Sequence, residues 1–201
     1  MKELLFSFIE SYLPLKEEEK KVIVDLDVFE FHKKGTILLN EGKYSNKSYF
    51  VLKGCIRTFY TIEGIEKTTE FYTEMEGIVP PSLTLGTASE FSIDCVEDCI
   101  LSTSNPEMEG AIFERFPRFE TLCRVISEEL LAKNKSSFDN FKTSTPQQRY
   151  ENLLTNRPEL TQRVPQHQLA SYLGITPQSM SRIRKRMSKK KESPNKANLL
   201  P

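Results

Sequence analysis

Histidine is nearly absent: the chain has two, His32 and His167, among 201 residues. A metal-dependent active site on an antiparallel barrel needs two or three histidines and a carboxylate converging on one ion. A haem sensor needs an axial histidine or an equivalent ligand. Neither constellation assembles from these two, and His32, within FEFHKKG, reads as a strand-end surface residue. Cysteine is also sparse and poorly spaced for metal. Cys55, Cys95, Cys99 and Cys123 form no C-x2-C pair, and none precedes Cys55, so the spacings of a zinc site or an N-terminal iron–sulfur cluster are missing. Cys95 and Cys99 fall in a segment read as one strand, where four residues apart means one face, and buried, inert thiols are expected.

Other absences narrow the function. No Gly-x-Ser-x-Gly elbow, P-loop or paired Cys/His arrangement occurs, so no enzyme, cofactor or metal is expected. No apolar run approaches the roughly 18 residues that a membrane span requires. The cluster LLFSFI (Leu4–Ile9) is short, lacks a small-residue cleavage site, and precedes the charged run Lys16–Lys21. It reads as an amphipathic helix rather than a signal peptide, and the cytoplasm is the expected compartment.

What is present is a charge split hidden by a formal net charge of zero. Residues 145–201 carry eleven Lys/Arg against three Glu, or +8, and residues 1–144 carry 17 basic against 25 acidic residues, or −8. A basic module joined to an acidic one suggests a nucleic-acid-binding part and a partner domain, and argues against a purely structural protein.

Along the chain, residues 1–12 read as helix. From about Val22 to Thr103 the pattern becomes short apolar runs broken by turn residues, such as GTILLNEG, YFVLKG and IRTFYTIEG, with Gly35, Gly42, Gly54 and Gly64 at the corners. Strands of this length with turns this frequent indicate an antiparallel sandwich or roll. A helix starts over Asn105–Glu109, and a long one runs from Phe119 to Phe141. Its narrow apolar stripe (Phe119, Leu122, Cys123, Ile126, Leu130, Phe138, Phe141) suits pairing with one other helix or packing on the roll. Ser144–Pro146 breaks the chain, Gln147–Asn156 opens the basic domain, and the tail from Ser188 is expected to be disordered.

Within the basic domain, Gln166–Met187 (QHQLASYLGITPQSMSRIRKRM) reads as two helices and a turn. Leu169, Ala170 and Leu173 give one apolar face, and Gly174 sits where the chain turns through a conformation that glycine adopts cheaply. Ile175 fills the corner, Thr176 caps the second helix, and Pro177 suits its first position. On a wheel of about 100° per residue with Gln178 at the origin, Met180, Ile183 and Met187 fall near roughly 200°, 140° and 180°. Ser181, Lys185, Arg182 and Arg186 fall near roughly 300°, 340°, 40° and 80°. One face is apolar. The other offers amide, hydroxyl and guanidinium groups, which read base edges in a major groove.

The order roll, long helix, helix-turn-helix resembles the Crp/Fnr superfamily of bacterial transcription regulators over essentially the whole chain. SYLGITPQSMSRIRK carries the stronger part of the likeness, and the glycine spacing around YFVLKG the weaker part. The resemblance implies an α+β chain. Its parts are an N-terminal antiparallel β-roll (a double-stranded β-helix, with the first helix, 1–116), a long dimerisation helix (117–143), a C-terminal helix-turn-helix domain (144–187) and the basic tail (188–201). It implies a homodimer on pseudo-palindromic double-stranded DNA, with RNA polymerase as a further partner. Base reading falls on Gln178, Ser181 and Arg182, and backbone contact on Thr176 and Ser179, with Lys185 and Arg186 added from the basic face. Pro177 departs from relatives that carry a base-reading Arg there, so base preference at that position should differ.

The same resemblance places a cyclic-nucleotide-like pocket in IVPPSLTLGTASEFSIDC, where the family carries a Glu for the ribose and an Arg for the phosphate. In this chain no Lys or Arg lies between Lys67 and Arg115, the window holds ten acidic residues, and Pro80–Pro81 remove two backbone donors. A buried phosphate needs positive charge or free N–H groups. Neither cyclic AMP nor cyclic GMP is expected to bind by the family's usual contacts unless Arg57 or Arg124 swings in. The effector is left as a small apolar or neutral molecule, a protein, or none. The competing reading is a regulatory or scaffold module that uses the roll to hold a small molecule or protein partner.

Overall fold

A computed structural model describes residues 2–26 and 28–192. It forms two compact units, the first ending at Ser137 and the second starting at Phe138.

The first unit opens with helices α1 (Lys2–Glu10) and α2 (Glu17–Asp25). Strands β1 (Phe29–His32), β2 (Ile37–Leu39), β3 (Ser48–Lys53), β4 (Ile56–Ile62), β5 (Ile65–Tyr72) and β6 (Gly77–Ile78) follow, then a one-turn helix α3 (Pro81–Thr84), β7 (Ser92–Cys95) and β8 (Cys99–Ser104). The strands pair antiparallel in two four-stranded sheets, ordered β1-β8-β3-β6 and β2-β7-β4-β5. Both sheets feed one apolar core: Leu39, Ile56, Ile93 and Cys95 from one, Tyr49, Val51, Cys99 and Leu101 from the other. Strand β8 shows why the roll holds its register. Cys99, Leu101 and Thr103 are buried in strict alternation, so a slip of one residue would place all three on the wrong face.

The expected corner glycines Gly35, Gly42, Gly54 and Gly64 all have positive φ, between 76° and 103°. Gly54 is the most constrained. A Cβ there would stand 2.7 Å from the Asp98 carbonyl oxygen and from Cys99 Sγ, so the strand crossing needs a residue without a side chain.

Helices α4 (Pro106–Arg115) and α5 (Arg118–Thr143) complete the first unit, although the last residues of α5 belong to the second. Asn105 caps α4 by accepting from the Met108 N–H at 2.9 Å. Phe6 and Ile9 of α1, Ile23 of α2 and Phe119 and Leu122 of α5 share a second apolar cluster. The rings of Phe8 and Phe50 lie 4.8 Å apart and tie α1 to β3.

Several expectations are corrected by the fold. Sheet structure does not begin near Val22: residues 17–25 are helical. Glu17, Glu18 and Glu19 occupy the first turn, where the helix dipole favours acid, and the Lys16 N–H donates to Glu19 at 2.7 Å. Burial of Ile23 in the cluster that α1 and α5 share then overrides the strand preference of the Val-Ile-Val run. Cys95 and Cys99 do not share a strand either. They end β7 and start β8, with a turn whose Asp98 carboxylate takes the Lys34 N–H at 2.9 Å and the Lys33 ammonium at 2.8 Å. Cys55, Cys95 and Cys99 are buried, but Cys123 is exposed on α5, contrary to expectation. The hydrogen bond to Cys99, together with burial, pushes the Cys95 thiol well above its ordinary range.

The second unit adds α6 (Pro146–Asn156), α7 (Leu160–Arg163), α8 (Gln166–Tyr172) and α9 (Pro177–Glu192). Tyr150, Leu153, Leu160, Leu169, Ala170, Leu173, Met180 and Ile183 are buried and form its core. Helix α9 continues through residues 188–192, so this first part of the tail is helical rather than disordered. The remainder of that expectation, from residue 193, lies outside the described residues.

Candidate nucleic-acid interface

The turn between α8 and α9 is fixed by its own backbone. The Gly174 N–H donates to the Ser171 carbonyl at 2.9 Å and the Ile175 N–H to the Ala170 carbonyl at 3.0 Å. Gly174 lies at φ +67°. This paired bonding around a left-handed glycine satisfies the carbonyls that end α8. Two residues later Thr176 starts α9: its hydroxyl accepts from the Ser179 N–H at 3.2 Å and donates to Ser179 Oγ at 3.1 Å. Pro177 takes the first helical position, where no N–H is needed.

Helix α9 is divided as the wheel predicts. Met180 (1% exposed) and Ile183 (3%) are buried, and Met187 is half-buried. Gln178, Ser181, Arg182, Lys185 and Arg186 are exposed, as is Thr176, and Ser179 is half-buried. None of the first five side chains is hydrogen-bonded or ion-paired to another described residue. An amide, a hydroxyl and three cations therefore share one helix face with their donors unspent. Such a face matches base edges and phosphates chemically. Thr176 and Ser179 differ, because their hydroxyls are already engaged with each other.

In the first unit the segment expected to hold an effector is tied to the loop before β3. Pro80 precedes α3, and Ser82 Oγ donates to the Ser45 carbonyl at 2.7 Å while accepting the Ser45 N–H at 2.9 Å. Arg57 and Arg124, the two cations that could have swung in, are both occupied. Arg124 donates to Glu128 at 2.7 Å one turn along α5. Arg57 is 3% exposed and lies on the strand face opposite its neighbour Ile56, which belongs to the apolar core. Its guanidinium bonds Asp94, Glu66 and Thr68, and its carbon sits 4.3 Å from the centre of the Phe59 ring. The sequence showed Arg57 only as a distant cation, because the register pairing it with Asp94 is a property of the folded sheet.

His32 ends β1, half-buried, with Nε2 3.0 Å from Glu30 Oε2, and His167 is exposed on α8. Among the described residues no group of three His, Cys, Asp or Glu is placed to hold a metal ion. Among the same residues no helix is long and apolar enough to cross a membrane.

No family model matches this sequence, and no curated protein does. Solved structures do match its shape. CLP of Xanthomonas campestris, a c-di-GMP-responsive global regulator, superposes with a TM-score of 0.67 at 15% identity, covering 87% of this chain and 93% of its own. FixK2 of Bradyrhizobium japonicum gives 0.64 at 13% identity, over 81% and 84% of the two chains. A mutant of CooA from Carboxydothermus hydrogenoformans gives 0.61 at 18% identity, over 80% and 76%. These are Crp/Fnr regulators. The chain has the Crp/Fnr fold. That fold is an α+β architecture with antiparallel sheets, as the first unit shows.

Proposed function

We propose that this chain is a sequence-specific DNA-binding transcription regulator of the Crp/Fnr type, acting as a homodimer in the cytoplasm, with helix α9 as the reading element of a helix-turn-helix. The observation that carries the reading is the unspent polar face of α9 opposite buried Met180 and Ile183. Gln178, Ser181 and Arg182 read bases, and Lys185 and Arg186 hold phosphates. Thr176 and Ser179 lie at the helix start, where Ser179 Oγ accepts from Thr176 and keeps its own O–H for the DNA backbone.

The dimer is supported by exposed apolar surface on α5, where Leu131 is 71% exposed. RNA polymerase is a further partner if the chain acts as an activator. Cyclic AMP is not the signal in this reading: Arg57 is buried and held by Asp94, and Arg124 is an exposed α5 side chain beside Glu128. A scaffold that used only the roll would have no use for a capped helix pair bearing a free reading face.

Selection of bound sequences from a random DNA pool tests the proposal. The expected outcome is a pseudo-palindrome whose half-sites lie about one helical turn, roughly 34 Å, apart. A recovered pool no different from the starting pool overturns it in favour of the scaffold.

A further inference from the structure

One basic residue of the second unit turns three of its five N–H donors into the protein. Arg149 of α6 donates from Nε to the Leu173 carbonyl at 2.9 Å, and from Nη1 to the carbonyls of Phe141 at 3.2 Å and Ser144 at 3.1 Å. Leu173 closes α8, while Phe141 and Ser144 lie at the end of α5. One side chain thus answers unpaired carbonyls at the C-terminal ends of two helices, where a cation is also favoured by the dipole. The guanidinium carbon lies 4.4 Å from the centre of the Phe141 ring. The far edge of that ring faces Gly174, where a Cβ would stand 3.0 Å from Phe141 Cζ. A second tie joins α5 to α6, Asn152 Nδ2 donating to Asn140 Oδ1 at 3.0 Å.

Gly174 is the pivot of the turn from which α9 departs three residues later. Arg149, Phe141 and Gly174 form a stack running from the end of α5 to that pivot. Stability alone would be served by an arginine capping a single helix. A fork shared between two helix ends fixes their relative direction as well.

We propose that Arg149 is a positioning residue of the DNA interface: it fastens the end of α5 to the α8–α9 turn and so sets the angle at which the reading helix meets DNA. This rests on the DNA-reading function proposed above. It makes a distinct demand on binding. A reading helix held at the wrong angle keeps its phosphate attraction and loses base discrimination.

The test is equilibrium binding of the full chain by fluorescence anisotropy at several salt concentrations. The ligands are the duplex recovered by selection and a scrambled duplex of the same composition. Arg149→Gln should weaken the selected duplex about tenfold and the scrambled one by less than about twofold, with the salt dependence of binding unchanged. Arg149→Lys should restore little, because an ammonium has no fixed fork. Phe141→Leu keeps the arginine bonds and removes the ring against Gly174. It should lower the ratio of selected to scrambled affinity in the same direction, and it serves if Arg149→Gln does not fold. Equal losses on both duplexes, a salt slope smaller by about one, or an unchanged ratio in Arg149→Gln and Phe141→Leu overturns the proposal. Failure of the DNA reading itself is read separately, from an unmutated chain with no preference for the selected duplex or an Arg182→Ala variant with the preference intact.

Discussion

The guanidinium of Arg57 grips the Asp94 carboxylate twice, Nε to Oδ1 at 2.8 Å and Nη2 to Oδ2 at 3.0 Å. The two residues face each other across β4 and β7. Thr68, at 3.1 Å, and Glu66, at 2.5 Å, take the rest of the fork. To meet a ligand phosphate this arginine would have to leave two carboxylates behind, one of them buried. Calorimetry with cyclic AMP and cyclic GMP should therefore show no saturable heat up to about millimolar ligand. A micromolar dissociation constant for either nucleotide would mean that its phosphate is held by groups other than Arg57 and Arg124.

The same pair makes a stability prediction. Arg57→Met leaves Asp94 without its partner and should cost about 3–5 kcal/mol in urea unfolding, whereas replacing both by apolar residues of similar volume should cost much less. Equal costs for the single and double replacements would show that packing of the Arg57 stem, rather than its charge, holds β4.

On the reading face, Arg182→Ala should cost about 1–3 kcal/mol in operator affinity and relax preference at one base pair. Lys185→Ala should weaken all sequences alike and reduce the salt slope by about one. Binding curves on operator and random duplexes separate the two. Identical profiles for both variants would show that the base-reading and phosphate-holding roles are assigned wrongly.

Gly174→Ala places a Cβ on a backbone at φ +67° and 3.0 Å from Phe141 Cζ. The left-handed conformation alone costs about 1–2 kcal/mol, and thermal unfolding should register it. Gly174→Asn should be milder from the backbone term, because asparagine enters this conformation more easily. An unchanged melting temperature for Gly174→Ala would contradict the turn geometry.

Acid should weaken the first unit through Glu19. This carboxylate is buried, and burial alone would raise it. The Arg118 guanidinium, donating from Nε at 2.7 Å and from Nη2, and the Lys16 N–H outweigh that cost and hold it below the ordinary value of 4.5. A carboxyl depressed in the fold stabilises fully above its unfolded value, and that contribution fades as pH falls through the folded one. The stability gap between the unmutated chain and Glu19→Gln should be constant near neutral pH and shrink below about pH 4.5. A gap that does not change with pH would rule out the ion pair as its source.

What was legible in the sequence was local. Gly174, Thr176 and Pro177 announce a turn and a cap within four residues, and the faces of α9 follow from helical spacing, so the candidate interface could be drawn before folding. The corner glycines and the helix start at Asn105–Glu109 are of the same kind. What escaped depends on partners far along the chain. Helix α2 has no side-chain cap at Lys16 and a β-branched run at Val22–Val24, and its stability comes from burying Ile23 in the cluster with residues of α1 and α5. Arg57 needed strand register to find Asp94, and Arg149 looked like one charge among eleven until two helix ends converged on it.

The three core cysteines carry a consequence for how the protein ages. Cys55, Cys95 and Cys99 are shielded together while the roll is closed, with Cys99 Sγ 3.4 Å from the Cys55 carbonyl oxygen. Opening the roll releases all three thiols at once, two of them only four residues apart. In air, cross-linking of the open chain then competes with refolding, and a disulfide from any of the three to Cys123, which is exposed on α5, would oppose closure of the core. Without reductant, heat inactivation becomes a one-way process whose pace is set by how often the roll opens.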